Sequence, residues 1–89
     1  MQYSWDDNKN EQNIEKHGLG FEFAKQLFNH DLLIIPDIRF NYTENRYIGY
    51  GFIDARLMVV VYTERLPDII RIISFRKANK REQQTYKKD

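Results

Sequence analysis

Phe21, Ala24, Leu27 and Phe28 recur at helical spacing and make one apolar stripe, which predicts a helix over about residues 21–29. Ahead of it the chain is mostly polar, with Asn10, Ile14 and His17 on a common helical face. Asp6, Asp7 and Asn8 can each cap a helix, and Asn8 stands at capping-box spacing from Glu11. Gly18 fits the left-handed residue that follows a helix end. A first helix over about residues 7–17 follows, with Trp5 placed to staple its start.

From Asp31 the apolar period changes to that of strands. "LLIIPDI" is the first, and Pro36 marks an edge position or an early end. "NYTEN" is turn chemistry. "RYIGYGFI" is the second strand, and its Gly49 and Gly51 share one face, so a helix or a neighbouring backbone packs closely there. "IDAR" makes a short hairpin into "RLMVVVYTER", "LPD" turns the chain again, and "IIRIISFRK" is the fourth strand. The third and fourth strands are apolar on both faces at their middles, which predicts central positions with both faces covered. Asn79 and Glu82 repeat the capping-box spacing, so a helix over about residues 80–88 closes the chain. It carries Tyr86 but no apolar stripe. The expected fold is α+β in one domain, residues 1–89: two N-terminal helices, a four-stranded antiparallel sheet and a basic C-terminal helix.

Composition narrows the function classes. With 89 residues, 42% hydrophobic and 15% aromatic, the chain can bury a modest core and is not disordered. No apolar run has the length of a membrane span, and the start has no basic region followed by an apolar one, so neither membrane nor secretion is expected. The absence of cysteine removes disulfides and thiolate metal sites, and suits a reducing cytoplasm. Net charge is only +1, but it is segregated: residues 1–64 hold 6 basic and 10 acidic side chains, residues 65–89 hold 8 and 3. Such segregation points to a polyanion, or to an acidic partner, for the basic end.

The chemistry-bearing residues are few. His17 and His30 lack metal-ligand spacing, and neither a phosphate-binding glycine loop nor a nucleophile elbow is present. No metal or cofactor is expected. What remains is an enzyme without metal or covalent nucleophile, or a binding module. Metal-free RNA cleavage needs a base for the 2′-hydroxyl, cations for the phosphorus oxygens and an acid for the departing 5′-oxygen. Arginine holds phosphate oxygens two at a time, and His17 titrates near neutrality. The strand ends and last helix supply Arg46, Arg76, Lys77, Lys80, Arg81 and Tyr86. Plainer roles compete: Arg46 closing a strand, Tyr86 anchoring the last helix, His17 capping the first.

The blocks "WDDNKNEQNIEKHGLGFEFA", "RYIGYGFIDARLMVVVYTER" and "IRIISFRKANKREQQTY" resemble the BrnT-type toxins of bacterial toxin–antitoxin modules, from Trp5 to Tyr86. The combination of W-D-x-x-K, K-H-G-x-x-F-E, V-V-Y-T-E-R and I-S-x-R-K-A-x-K-R-E carries the likeness. The resemblance implies a RelE-like fold and a metal-independent ribonuclease that arrests growth. It implies a BrnA-type antitoxin that covers the site and, as a complex, binds operator DNA. Residue by residue it covers His17 in K-H-G, Arg76 and Lys77 in S-x-R-K-A, and Lys80 and Arg81 in K-R-E, with Tyr86 as the late tyrosine of the wider superfamily. Taken with the inventory of basic residues, the candidate catalytic residues are His17, Arg46, Arg76, Lys80 and Tyr86, and the candidate RNA contacts are Lys77, Arg81, Lys87 and Lys88. One departure is "GFID" before Ala55, where the resemblance implies a longer, more polar hairpin; the shorter one alters the rim of the site. A second reading is a non-catalytic module whose basic end docks an acidic partner segment. A third is a toxin directed at gyrase.

Overall fold

Residues 57–62, the longest apolar stretch, form the middle of the middle strand. The structure, a computed structural model, describes residues 1–87. Its elements are β1 (Gln2–Ser4), α1 (Asp7–His17), α2 (Phe21–Ala24) continuing as a 3-10 segment (Lys25–Asn29), β2 (Leu33–Pro36), β3 (Tyr47–Ile53), β4 (Arg56–Arg65), β5 (Ile69–Lys77) and α3 (Lys80–Lys87). One sheet runs in the order β1-β5-β4-β3-β2. From β2 to β5 it is the expected antiparallel meander, but β1 adds a fifth strand parallel to β5. The sheet is therefore mixed. Three residues are too few to display a two-residue period, and their partner lies at the other end of the chain, so the pattern did not reveal β1.

The expected second helix is one α turn followed by 3-10 geometry. Phe21, Ala24 and Leu27, every third residue, are fully buried. A 3-10 helix superimposes residues three apart, so this spacing keeps the stripe on the sheet as the helix tightens. These residues pack with Met58, Val60, Ile72 and Phe75 on one face of the sheet. On the other face, Ile48, Leu57, Val59, Val61 and Ala78 cluster, with Tyr86 of α3 against them. Both faces of β4 are thus covered, as its continuous apolar run predicts.

A bulge sets which face the end of β5 presents. Val61 pairs with Ser74 while Tyr62 pairs with Ile72, leaving Ile73 as an extra residue. Ile70 and Ile72 face α2; after the bulge it is Phe75, three residues on, that joins them. Arg76 is thereby placed on the opposite face, under α3, and Lys77 on the α2 side.

Helix α1 docks through a polar residue. Asp6, rather than Asn8, is its N-cap, accepting from the Asn8 and Lys9 amides at 2.8 and 3.4 Å. Gly18 ends it at φ 71°, with its amide on the Ile14 carbonyl. Ile14 is exposed, and the inward residue is Asn13. The Asn13 amide donates to the Phe75 carbonyl at 2.7 Å and to the Leu19 carbonyl at 2.9 Å, and its Oδ1 accepts from the Phe75 amide at 3.3 Å. β1 pairs only with the first half of β5, so Asn13 supplies the hydrogen bonds a neighbouring strand would otherwise give at Phe75.

One strand and one turn show where glycine is and is not used. A Cβ on Gly51 would sit 2.6 Å from Leu32 Cδ2 and 3.1 Å from Leu27 Cδ1, so the close approach expected over this strand is present. In the β3–β4 hairpin, Asp54 and Ala55 adopt φ 50° and 66°, the two left-handed positions of a two-residue turn. Left-handed backbone costs a residue with a Cβ about 1–2 kcal/mol. Ala55→Gly is therefore expected to raise stability by about 0.5–1 kcal/mol, read by urea unfolding, because relief of strain exceeds the added chain entropy.

Candidate functional site

Sheet register brings Arg76, Val59, Tyr50 and Leu33 into one transverse row across β5, β4, β3 and β2. All four point toward the α3 side of the sheet. α3 starts with the capping box read from its sequence: the Glu82 amide donates to Asn79 Oδ1 at 2.8 Å, and the Asn79 amide to Glu82 Oε1 at 2.9 Å. The same Glu82 carboxylate takes both terminal nitrogens of Arg76, at 2.7 and 2.9 Å. Arg76 thus fixes the helix start, and the helix start aims the guanidinium. Its hydrogen bonds lower the Glu82 pKa, and those from Glu82 raise that of Arg76. Nη1 gives its second N–H to the Lys77 carbonyl at 3.3 Å, so Nη2 keeps a further N–H, and Nε another, for an incoming anion.

Two proton-transfer groups lie within the electrostatic reach of this pair. Burial, then the charge of Glu82, raise the Tyr50 pKa, while Arg76 and Arg39 oppose the shift. The phenol is neutral at pH 7. His17, at the end of α1, has its pKa lowered below the ordinary 6.5 by burial, then by Lys16 and Arg76. The imidazole is therefore mostly uncharged at neutral pH, an acceptor rather than a donor of protons.

A second guanidinium approaches from the β2–β3 loop. Arg39 gives Nε and Nη2 to the carboxylate of Asp37, both at 2.8 Å. Asp37 is wholly shielded from solvent, and the Arg39 hydrogen bond holds its pKa at about 2. The Arg39 charge acts on Tyr50, Arg76 and Glu82. Between β2 and α3 runs a groove of about 310 Å³, lined by Leu33, Ile35, Tyr50, Arg81, Glu82 and Tyr86 among others.

Of the residues expected from sequence, Arg81 lines this groove, as does Tyr86, whose ring meets Phe52 edge-on at 5.3 Å, and Arg76 joins it through its bonds to Glu82. His17 comes in from the opposite element. Arg46 lies apart, stacked 4.0 Å over Tyr42 and linked to Arg39 only through Tyr42 and Asp37. Lys80 is exposed at the α3 start. Lys77 is on the other face. Lys87 lines a separate depression beside the β3–β4 hairpin with Ala55 and Leu57. Lys88 lies outside the described residues. Sequence reading missed Tyr50, Arg39 and Asp37. Tyr50 alternates with Gly49 and Gly51, and so was assignable to the face opposite them. Asp37 and Arg39, two residues apart beside an apolar run, were a local ion-pair signal.

Among the described residues no three His, Cys, Asp or Glu side chains come together as a metal site, and no helix is long and apolar enough to cross a membrane. The arrangement is a cationic face with one phenol and one imidazole, suited to binding a phosphodiester and moving protons around it.

Comparison with known proteins agrees with that chemistry. A family model described as the ribonuclease toxin BrnT of type II toxin–antitoxin systems matches residues 5–82. That span contains His17, Arg39, Tyr50, Arg76 and Glu82, and stops short of Tyr86. The fold is similar to the 1.1 Å crystal structure of the Brucella abortus ribonuclease toxin BrnT, with TM-score 0.72 and 24% identity, covering 90% of this chain and 99% of that one. No curated protein matches.

Proposed function

This chain belongs to the BrnT family of ribonuclease toxins of type II toxin–antitoxin systems, and from that premise we propose that it cuts RNA, without a metal ion, at the face carrying Arg76, Tyr50 and His17. The observation that carries the reading is the Arg76 fork, aimed by Glu82 beside a neutral phenol and within the field of a neutral imidazole. Neutral His17 takes the proton of the 2′-hydroxyl. The 2′-oxygen then attacks phosphorus, the bond to the 5′-oxygen breaks, and Tyr50 protonates the departing oxygen. The products are a 2′,3′-cyclic phosphate and a 5′-hydroxyl. Arg76, with Arg39 behind it, stabilises the charge that builds on the non-bridging oxygens. Arg81 and Tyr86 border the path of the strand, and Lys77, Lys80, Lys87 and Lys88 add to the positive field that draws RNA in. Arg46 acts from a distance, through Tyr42.

As a toxin of such a module the protein works in the cytoplasm against a cognate antitoxin of BrnA type. That antitoxin covers the cationic face, and operator DNA is met only through the antitoxin. A second reading, a module that binds a partner without catalysis, is favoured by one feature. The outer edge of β2 exposes Leu33, Ile34 and Ile35, each 40% or more accessible, as a strand without an outer neighbour.

The test is cleavage of single-stranded RNA by purified protein in EDTA, with mapping of the new ends. Cyclic phosphate and 5′-hydroxyl ends are expected. The sign for His17 follows from its role: a base must be unprotonated, so kcat/KM falls as pH drops below 6.5, and His17→Ala removes that limb. Activity lost in EDTA and restored by a divalent ion overturns the metal-free mechanism. Partner binding without cleavage under any condition favours the second reading.

A further inference from the structure

The loop between β2 and β3, residues 37–46, spends an unusual amount of apolar surface on solvent. Phe40 is 70% and Ile38 86% exposed, whereas Phe21 and Phe75 are wholly buried in the core. The loop is nevertheless built on a shielded anchor. Asp37 receives two hydrogen bonds from Arg39, and the Tyr42 hydroxyl donates to its other oxygen at 3.3 Å. Phe40 stands edge-on to Tyr42, ring centres 5.8 Å apart. The Arg46 guanidinium lies 4.0 Å from the centre of the Tyr42 ring, and its Nε has no hydrogen-bond partner among the described residues. Around them is a depression of about 660 Å³, within the roughly 300–1,000 Å³ typical of ligand sites.

An exposed ring, Phe40, that stands beside a second ring covered by the Arg46 guanidinium and follows Arg39 in the chain matches the alternation of base and phosphate along a single strand. The base has a π-face to stack, and the phosphates on either side carry the charge. Position agrees with composition. The loop runs directly into β3, whose Tyr50 shares a transverse row with Arg76, so a strand with one phosphate at Arg76 continues over β3 onto this loop. An acidic protein segment would satisfy the arginines but not the protruding Phe40 ring.

We propose that the 37–46 loop is a nucleobase subsite of the RNA-cleaving face, where Phe40 stacks on one unpaired base and Arg39 and Arg46 hold its flanking phosphates. The proposal rests on the reading that RNA is the substrate. The experiment measures fluorescence anisotropy of a labelled single-stranded RNA in which every sugar is 2′-O-methylated, so that binding is read without cleavage. Phe40→Ala is expected to weaken binding about 5- to 150-fold, the range one base–aromatic stack supports. Phe40→Trp is expected to retain it. Arg39→Ala is expected to reduce the slope of log affinity against log salt by about one contact. A duplex of the same sequence is expected to lose the dependence on Phe40. Unchanged single-strand affinity in Phe40→Ala, with the protein folded, overturns the subsite, all the more so if that variant loses affinity for a purified partner protein instead. If Phe40→Ala weakens binding but the wild type cuts no RNA, the subsite stands and the catalytic reading falls.

Discussion

Arg76→Ala is expected to lower kcat/KM for RNA by about 10²–10³-fold, the loss seen when one preorganised donor to a developing oxyanion is removed. The loss should fall on kcat, because the guanidinium is proposed to meet the charge that appears only as the 2′-oxygen attacks. Arg76→Lys should rescue little of it. A lysine ammonium is a point charge and cannot hold Glu82 and phosphate oxygens with one planar fork. The substitution also has a structural side. Glu82, half-buried, would lose its partner, and an unpaired charge there loosens the start of α3. Arg76→Ala combined with Glu82→Gln separates the two effects: the unpaired charge is gone while the capping acceptor stays, so helix stability returns, measured by thermal unfolding, and activity does not. Turnover close to wild type in the single variant would remove Arg76 from the mechanism.

Asn13→Ala is expected to be the most damaging change to the fold, costing about 2–4 kcal/mol. The estimate follows from at least two buried backbone groups left unsatisfied, at about 1–3 kcal/mol each, with partial relief by water at the sheet edge. For a chain of this size, each kcal/mol lowers the melting temperature by about 4–8 °C. Asn13→Asp makes the argument sharper. Its carboxylate can accept from the Phe75 amide but cannot donate to the Phe75 or Leu19 carbonyls. Protonation restores a donor, so this variant should lose less stability relative to wild type at pH 4 than at pH 7. Equal losses at both pH values would show that side-chain packing, and not hydrogen bonding, holds α1 to β5. Because α1 carries His17, a loosened helix should also reduce activity without any change to the site itself.

These two residues differ in how visible they were. Arg76 stands out in sequence as an arginine where an apolar strand meets a basic helix, and Glu82 as the third residue of a capping box. Asn13 gives no such signal. An asparagine in a polar helix normally faces water, and the sequence marked only that Asn10, Ile14 and His17 share a face. The helix bounds were legible and the inward face was not, because its docking depends on a stretch of β5 beyond its pairing with β1 that no local pattern describes. Arg46 was legible in position, at a strand end, but not in setting: its guanidinium stacks on the Tyr42 ring, a contact set by the path of the intervening loop.

Local sequence decided the elements whose energetics are local. Strands β3, β4 and β5 follow from their apolar runs between turn residues, the α3 start from reciprocal side-chain hydrogen bonds, and the α1 end from a glycine at positive φ. The charge asymmetry was equally legible, since it is a property of composition. Tertiary structure decided the parallel pairing of β1, the rotation of α1 and the assembly of Arg39, Tyr50, Arg76 and His17 from four separate segments. One extra residue at Ile73 reverses the side to which every later side chain of β5 points. Such a bulge is fixed by packing Phe75 beneath α2, at long range, and so it does not appear in the alternation that otherwise announces the strand.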